Sequence, residues 1–316
     1  RRPCQEGSIS PATPAEEGQT MTEHRTEHSG SQLIAAVDGS ACSYQAAAWA
    51  AVEASLRRRP LHLITALSIP FGLGPGPILS EADERWLRSE REQIVAEAAR
   101  IAREVVSGEG LVVTTEVSYD TLIPDLLERS KHAGMLVVGS RGIGAFQRGL
   151  LGSVSTAVVR HAHCPVAVIH DIAGLDPEWV GRPVVVGVDG TDNSVPAIEL
   201  AFEEASMRKV GLTAVHTWSD AGGVDLPWSG WDSVRGAEER SLAERLAGFS
   251  ERYPDVSVRR VAKVDRPVRA LFDESENAQL VVVGSHGRGG FAGMLLGSTS
   301  NALLHSVECP MIVVRG

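Results

Sequence analysis

Two stretches of the chain carry residues whose types and spacing suit the gripping of phosphate. Gly139-Ser140-Arg141-Gly142 is followed, after nine residues, by Gly152-Ser153, and Gly284-Ser285-His286-Gly287 is followed, after nine residues, by Gly297-Ser298. Phosphate is held by backbone N–H groups at close range, and glycine lets the chain turn sharply and come near the ligand. Ser153-Val154-Ser155 and Ser298-Thr299-Ser300 then open predicted helices. The first N–H groups of a helix lack intrahelical acceptors and sit at the positive end of its dipole, where anions bind. The hydroxyls of Ser153, Ser155, Ser298 and Ser300 are expected both to cap these helices and to bond phosphate oxygens. Each loop follows an apolar run ending in Val138 or Val283, so each reads as buried strand, glycine loop, helix start. Neither a Walker loop (GxxxxGK[ST]) nor GxGxxG occurs at these loops. The nearby cations are Arg141, Arg148 and Arg288, each open to two readings, phosphate partner or solvated loop charge.

A second pair of residues belongs to the same chemistry. Asp38 in LIAAVDGS and Asp189 in VVVGVDGT each end a first predicted strand. From there a carboxylate can accept hydrogen bonds from ribose hydroxyls, or close an Asx turn into the following glycine; both can hold at once. Ala36 and Gly187, two residues earlier, are small enough to leave room for a flat base.

The elements that must position these residues are written twice. The glycine motifs and the Cys-Pro pairs behind them, Cys164-Pro165 and Cys309-Pro310, keep an offset of 145, while Asp38 and Asp189 lie 151 apart, so a loop indel separates the two registers. The organisation expected is a tail at 1–30, a first unit at 31–172, a linker at 173–181 with Pro and Gly, and a second unit at 182–316. In the first unit the pattern predicts strands at 33–38, 61–67, 111–119, 135–140 and 165–170, with helices at 43–58, 82–107, 121–132 and 153–162. The second repeats it with strands at 184–189, 211–218, 257–264, 280–285 and 311–315, and helices at 194–208, 234–252, 267–277 and 298–307. Continuous Val/Ile/Leu strands in strict alternation with helices predict α/β architecture: two tandem, doubly wound, five-stranded parallel-sheet sandwiches of Rossmann-like type. Ligands in such sheets sit beyond the strand carboxyl ends, where Asp38, Asp189 and both glycine loops fall.

A formal net charge of −10 argues against a nucleic-acid or anionic-membrane partner. The absence of a run long enough to span a bilayer, or of an apolar export core, predicts a cytoplasmic chain. Four cysteines without CxxC fit a reducing compartment, and Cys164 and Cys309, at equivalent positions, are expected to pack rather than pair. Residues 1–30, polar and rich in Glu, Thr, Ser and Pro, are expected to be disordered, with Met21 a candidate start.

Taken together, VDGS and VDGT, VVGSRG and VVGSHGRGG, LLGS followed by Val-Ser or Thr-Ser, and CPVAVIH resemble the universal stress protein family in its tandem, actinobacterial form, over about 31–316. The G-x2-G-x9-G-[ST] spacing is similar to that of the family's ATP-binding branch. The resemblance implies ATP, with Mg2+, as ligand of each unit. It places adenine near Ala36 and Ala66, or Gly187 and Thr217, and ribose at Asp38 or Asp189. Phosphates fall to Gly139, Gly142 and Gly152 to Ser155, or to Gly284, Gly287 and Gly297 to Ser300, with Val138, Arg141, Val283 and Arg288 counted beside them as cofactor-binding. It also implies that 165–170 and 311–316 join edge to edge inside one chain, that a homodimer is possible, and that the function is a nucleotide-dependent regulatory one with a protein partner of unknown identity. The two loops are not chemically equivalent: Ile143 and Gln147 stand where the second unit has Arg288 and Ala292.

Two other function classes stay open, a slow ATPase or phosphotransferase and a ligand-free interaction scaffold. An enzyme would need an in-line acceptor, a metal carboxylate and charge stabilisation, a set the motifs do not assemble. His286 faces Arg141 at the equivalent position, so no shared catalytic histidine exists. His161, His163 and Cys164 have no matching set in the second unit and no standard zinc spacing.

Overall fold

The computed structural model describes residues 32–67, 80–106, 110–142, 151–170, 177–218, 231–288 and 295–315; the tail 1–30 and the loop residues Ile143, Gln147, Arg148 and Ala292 lie outside these. The first unit runs β1 (Leu33–Ala36), α1 (Ala41–Leu56), β2 (Leu61–Ala66), α2 (Glu81–Val105), β3 (Val113–Ser118), α3 (Leu122–Arg129), β4 (Met135–Gly139), α4 (Ser153–His161) and β5 (Val166–Ile169). After α5 (Pro177–Val180), the second unit runs β6 (Val184–Val188), α6 (Val195–Arg208), β7 (Leu212–Thr217), α7 (Trp231–Arg252), β8 (Val258–Lys263), α8 (Pro267–Ser275), β9 (Leu280–Gly284), α9 (Ser298–Ser306) and β10 (Met311–Val314).

Differences from the sequence expectation have local causes. The linker contains a helical turn, α5, opened by Pro177, whose fixed φ suits a first helical position. Trp179 of that turn lies under the Arg182 guanidinium, 4.0 Å from ring centroid to Cζ. Helix α1 starts at Ala41 rather than 43 because Ser40 caps it, accepting from Ser43 N–H at 3.2 Å. The strand predicted at 33–38 ends at Ala36: Val37 still donates to Ile64 O at 2.9 Å, and the chain then leaves the ladder.

All strands among the described residues lie in one ten-stranded sheet of order β3-β2-β1-β4-β5-β10-β9-β6-β7-β8. Each five-stranded half is parallel throughout, and the halves meet through an antiparallel pair, Val166 opposite Val313, Ala167 opposite Ile312 and Val168 opposite Met311. The last strand of each half thereby satisfies the other's open edge, which alone would present unpaired N–H and C=O groups. Helices cover both faces. Alternate strand residues such as Leu33, Ala35 and Val37 pack beneath α1, α2, α6 and α7, while Ile34, Leu136 and Val138 face the layer of α3, α4, α8 and α9. Strand order reverses between β1 and β4, and again between β6 and β9, so each half has one switch point. Among the described residues no helix is long and apolar enough to cross a membrane.

Candidate nucleotide-binding clefts

The two switch points are built alike. Ala36 pairs with Val138 across β1 and β4, which sets Asp38, two residues on, beside Gly139 and the start of the glycine loop. In the second unit Val186 pairs with Val282, and Asp189 and Gly284 follow. Each aspartate closes an Asx turn: Asp38 Oδ1 accepts from Ser40 N–H at 3.0 Å, and Asp189 Oδ1 from Thr191 N–H at 2.7 Å. The glycines between them, Gly39 and Gly190, have φ of 93° and 82°, a left-handed conformation that favours glycine.

The glycines of the motif are needed for a different reason from the sharp turn expected. None of those described has positive φ; what they supply is close approach. A Cβ on Gly142 would stand 2.3 Å from Asp38 Oδ2, and one on Gly139 would stand 2.9 Å from Cys42 Sγ. Carboxylate and glycine are therefore close neighbours at the first switch point.

The helix starts match in detail. Gly152 and Gly297 are the N-cap residues of α4 and α9, with ψ of 157° and 153°. Their N–H groups donate back to Ser140 O and Ser285 O, each at 2.7 Å. The first intrahelical bonds run from Thr156 to Gly152 and from Asn301 to Gly297, each 2.9 Å, so the three N–H groups before them have no intrahelical acceptor and point out of the helix start. Neither helix has a side-chain cap, which corrects the expectation for the serines. The Ser155 and Ser300 hydroxyls are buried and donate inward to Gly139 O and Gly284 O, each at 2.6 Å. One hydroxyl proton cannot also be given to a phosphate, so these two serines staple the helix to the strand end. Ser153 and Ser298, at the first helical position, are exposed, with Val154 and Thr299 beside them half-buried.

In the second unit these parts enclose a cleft of about 450 Å³. All the sequence-predicted residues of that unit line it: Gly187, Asp189, Thr217, Val283, Gly284, Gly287, Arg288, Gly297, Ser298, Thr299 and Ser300. Val215, Pro267 and Leu271 form an apolar wall, and Val188, Ser194 and His286 complete the lining; sequence reasoning weighed His286 only as a catalytic base and missed the other five. Pro267 and Leu271 open the helix after β8, beyond a strand carboxyl end, and that location was the signal available for them. In the first unit, Ala36 and Ala66 end β1 and β2, Val138 and Gly139 end β4, Arg141 and Gly142 follow it, and Gly152 opens α4. The cleft therefore combines a small-residue floor, an apolar wall, a carboxylate and a helix N-terminus.

Cys164 and Cys309 are buried free thiols, each pushed up to about 12 by burial, consistent with packing residues. Among the described residues no group of three His, Cys, Asp or Glu side chains is gathered as a metal site.

Comparison with known proteins agrees with this architecture. A model of the universal stress protein family matches residues 31–170 and again 181–315. A universal stress protein of Mycobacterium tuberculosis is 47% identical over 296 residues, covering 93% of this chain and 99% of that protein. A second from the same species is 41% identical over 290 residues, covering 90% of this chain and 96% of that protein. The crystal structure of a universal stress protein from Archaeoglobus fulgidus superposes with a TM-score of 0.64 at 20% identity, covering 90% of this chain and 96% of its own, a likeness of fold. With the family pattern matched once on each half of the sheet, the chain belongs to the universal stress protein family.

Proposed function

We propose that each unit, 31–172 and 182–316, binds one adenine nucleotide, ATP carried with Mg2+, and that the bound chain works in the cytoplasm as a nucleotide-dependent regulatory module of the stress response, presenting its surface to a protein partner. The observation that carries this reading is the second cleft, whose volume of about 450 Å³ and mixture of apolar wall with a few polar groups suit a nucleotide-sized ligand. Adenine is assigned to the floor at Gly187 and Thr217 against Leu271, ribose to Asp189, and phosphates to the glycine backbone and the first N–H groups of α9. The first unit offers Ala36, Ala66, Asp38, Gly139, Gly142 and the start of α4 in the same roles. Mg2+ would arrive on the phosphates, since that ion keeps much of its water and needs few protein ligands. Three buried free thiols fit a reducing compartment.

Titration with ATP of wild type, Gly152→Glu, Gly297→Glu and the double variant tests the assignment. A Cβ at Gly152 meets nothing nearer than 3.5 Å, an ordinary contact, whereas one at Gly297 stands 3.3 Å from Ser285 O and needs a small shift there, so circular dichroism first checks the fold of each variant; the added carboxylate opposes phosphate. Each single variant should lose one site and the double variant both. Undiminished binding in the folded double variant would sink the phosphate assignment. Sustained turnover of ATP, abolished by Asp38→Ala plus Asp189→Ala, would instead favour an enzyme.

A further inference from the structure

The second cleft carries a cluster that the motif does not predict. His216, near the end of β7, is 3% exposed, and three groups surround its ring. Nδ1 lies 2.7 Å from Val188 O; a carbonyl only accepts, so Nδ1 carries a hydrogen. Nε2 lies 3.1 Å from Arg288 Nη2 and also 3.1 Å from a carboxylate oxygen of Glu238 on α7. Arginine can only donate and carboxylate only accept, so this one nitrogen serves one neighbour at a time. With Nε2 bare, it accepts from Arg288; with Nε2 protonated, it donates to Glu238 and repels the guanidinium. The same guanidinium is tied by Nε to Asp189 O and packs against Gly190, where a Cβ would meet Arg288 Nη2 at 3.1 Å.

We propose that His216 is a positioning residue of the second cleft: bare at Nε2, it latches Arg288 against the Asp189 backbone, and on taking a proton from solvent it turns to Glu238 and frees Arg288 for the phosphates of a bound nucleotide. This rests on the nucleotide reading of the cleft. Other charged groups on the segments flanking β7 have partners of their own. The Asp189 carboxylate is engaged by Thr191, and Lys263 on β8, opposite Thr217, lies 3.5 Å from Glu274. At the positions equivalent to His216 and Arg288 the first unit has Thr65 and Ile143, so the latch belongs to the second cleft alone. It makes that site proton-linked and selective for polyphosphate over nucleoside.

The test has two readouts. In nucleotide-free protein, imidazole nitrogen NMR of His216 should show the proton entering at Nε2, at higher pH in Arg288→Ala than in wild type and at lower pH in Glu238→Gln. In a Gly152→Glu background, which silences the first cleft, calorimetry at pH 6 and pH 8 should give ATP several-fold tighter at the lower pH. Arg288→Ala should remove that gain, a comparison that cancels the titration of ATP itself, and adenosine should show no such gain. Identical proton uptake in all three proteins, or a pH gain retained in Arg288→Ala, would overturn the latch. ATP binding at neither pH would overturn the nucleotide reading and the release step with it, whereas unmoved imidazole behaviour with ATP bound would overturn the latch alone.

Discussion

Gly142 and Gly287 occupy equivalent places, yet their surroundings differ: a Cβ would stand 2.3 Å from Asp38 Oδ2 in the first unit and 3.5 Å from Asp189 Oδ2 in the second. Gly142→Ala must therefore push the carboxylate away, whereas Gly287→Ala makes ordinary contact. We expect Gly142→Ala to weaken ATP binding at the first site at least about tenfold, because the carboxylate placed for ribose must turn aside, while stability changes little since only the tip of a half-exposed side chain has to move. Gly287→Ala should leave binding little changed; equal weakening of the two sites in calorimetry would contradict the geometry. The residue types of this rim were legible because spacing recurs. The direction of the serine hydroxyls was not, since only the folded strand end supplies the carbonyl that claims them, and the ring of groups about His216 was invisible because its partners come from three separate segments.

At the scale of elements, strand and helix alternation was readable from apolar runs and capping residues, and the errors were the short linker helix α5 and element ends where a cap or turn decides. The seam between β5 and β10 is pinned at both ends by side chains that cross it. Arg315 Nη1 donates to Ala162 O at 2.9 Å, and the ring nitrogens of His170, the equivalent position, lie 3.1 and 3.2 Å from Cys309 O and Leu304 O. A hydrogen bond from a charged donor contributes about 1.5–3 kcal/mol, so Arg315→Ala should loosen the seam. Hydrogen exchange should quicken in 166–169 and 311–314 and stay unchanged in β1 and β6. Unchanged exchange at the seam would mean that strand pairing alone holds the halves together.

Across the whole molecule, the halves also meet through two buried glutamates and two half-buried arginines. Arg57 on α1 bonds Glu53 and reaches across to Glu204, while Arg208 on α6 bonds Glu204 at 3.0 Å and reaches across to Glu53. Both glutamates are fully buried. Glu-x3-Arg at an offset of 151 in both copies was the sequence signal, but it reads as an ordinary exposed helix pair until the two helices meet. Burial and the facing Glu204 carboxylate push the Glu53 carboxyl up to about 8 from its ordinary 4.5. Glu204, against the effect of its own burial, is held below the ordinary range by Arg208 and Arg57. Because the folded chain holds the Glu53 proton more tightly than the unfolded chain, the stability it contributes is full below about 4.5 and is lost as pH rises towards about 8. The Glu204 contribution runs the other way, present above about 4.5 and lost as pH falls through its depressed value. Urea midpoints should therefore fall between pH 5 and pH 8 in wild type, and Glu53→Gln, which mimics the protonated acid, should flatten that slope; an identical slope would contradict the assignment.

The central claim is one nucleotide per half of the sheet, and counting nucleotides tests it most directly. Protein incubated with Mg-ATP, desalted extensively and then denatured should release close to two adenine nucleotides per chain. Release of none would contradict the account and leave the paired units as an interaction scaffold without a tightly held ligand.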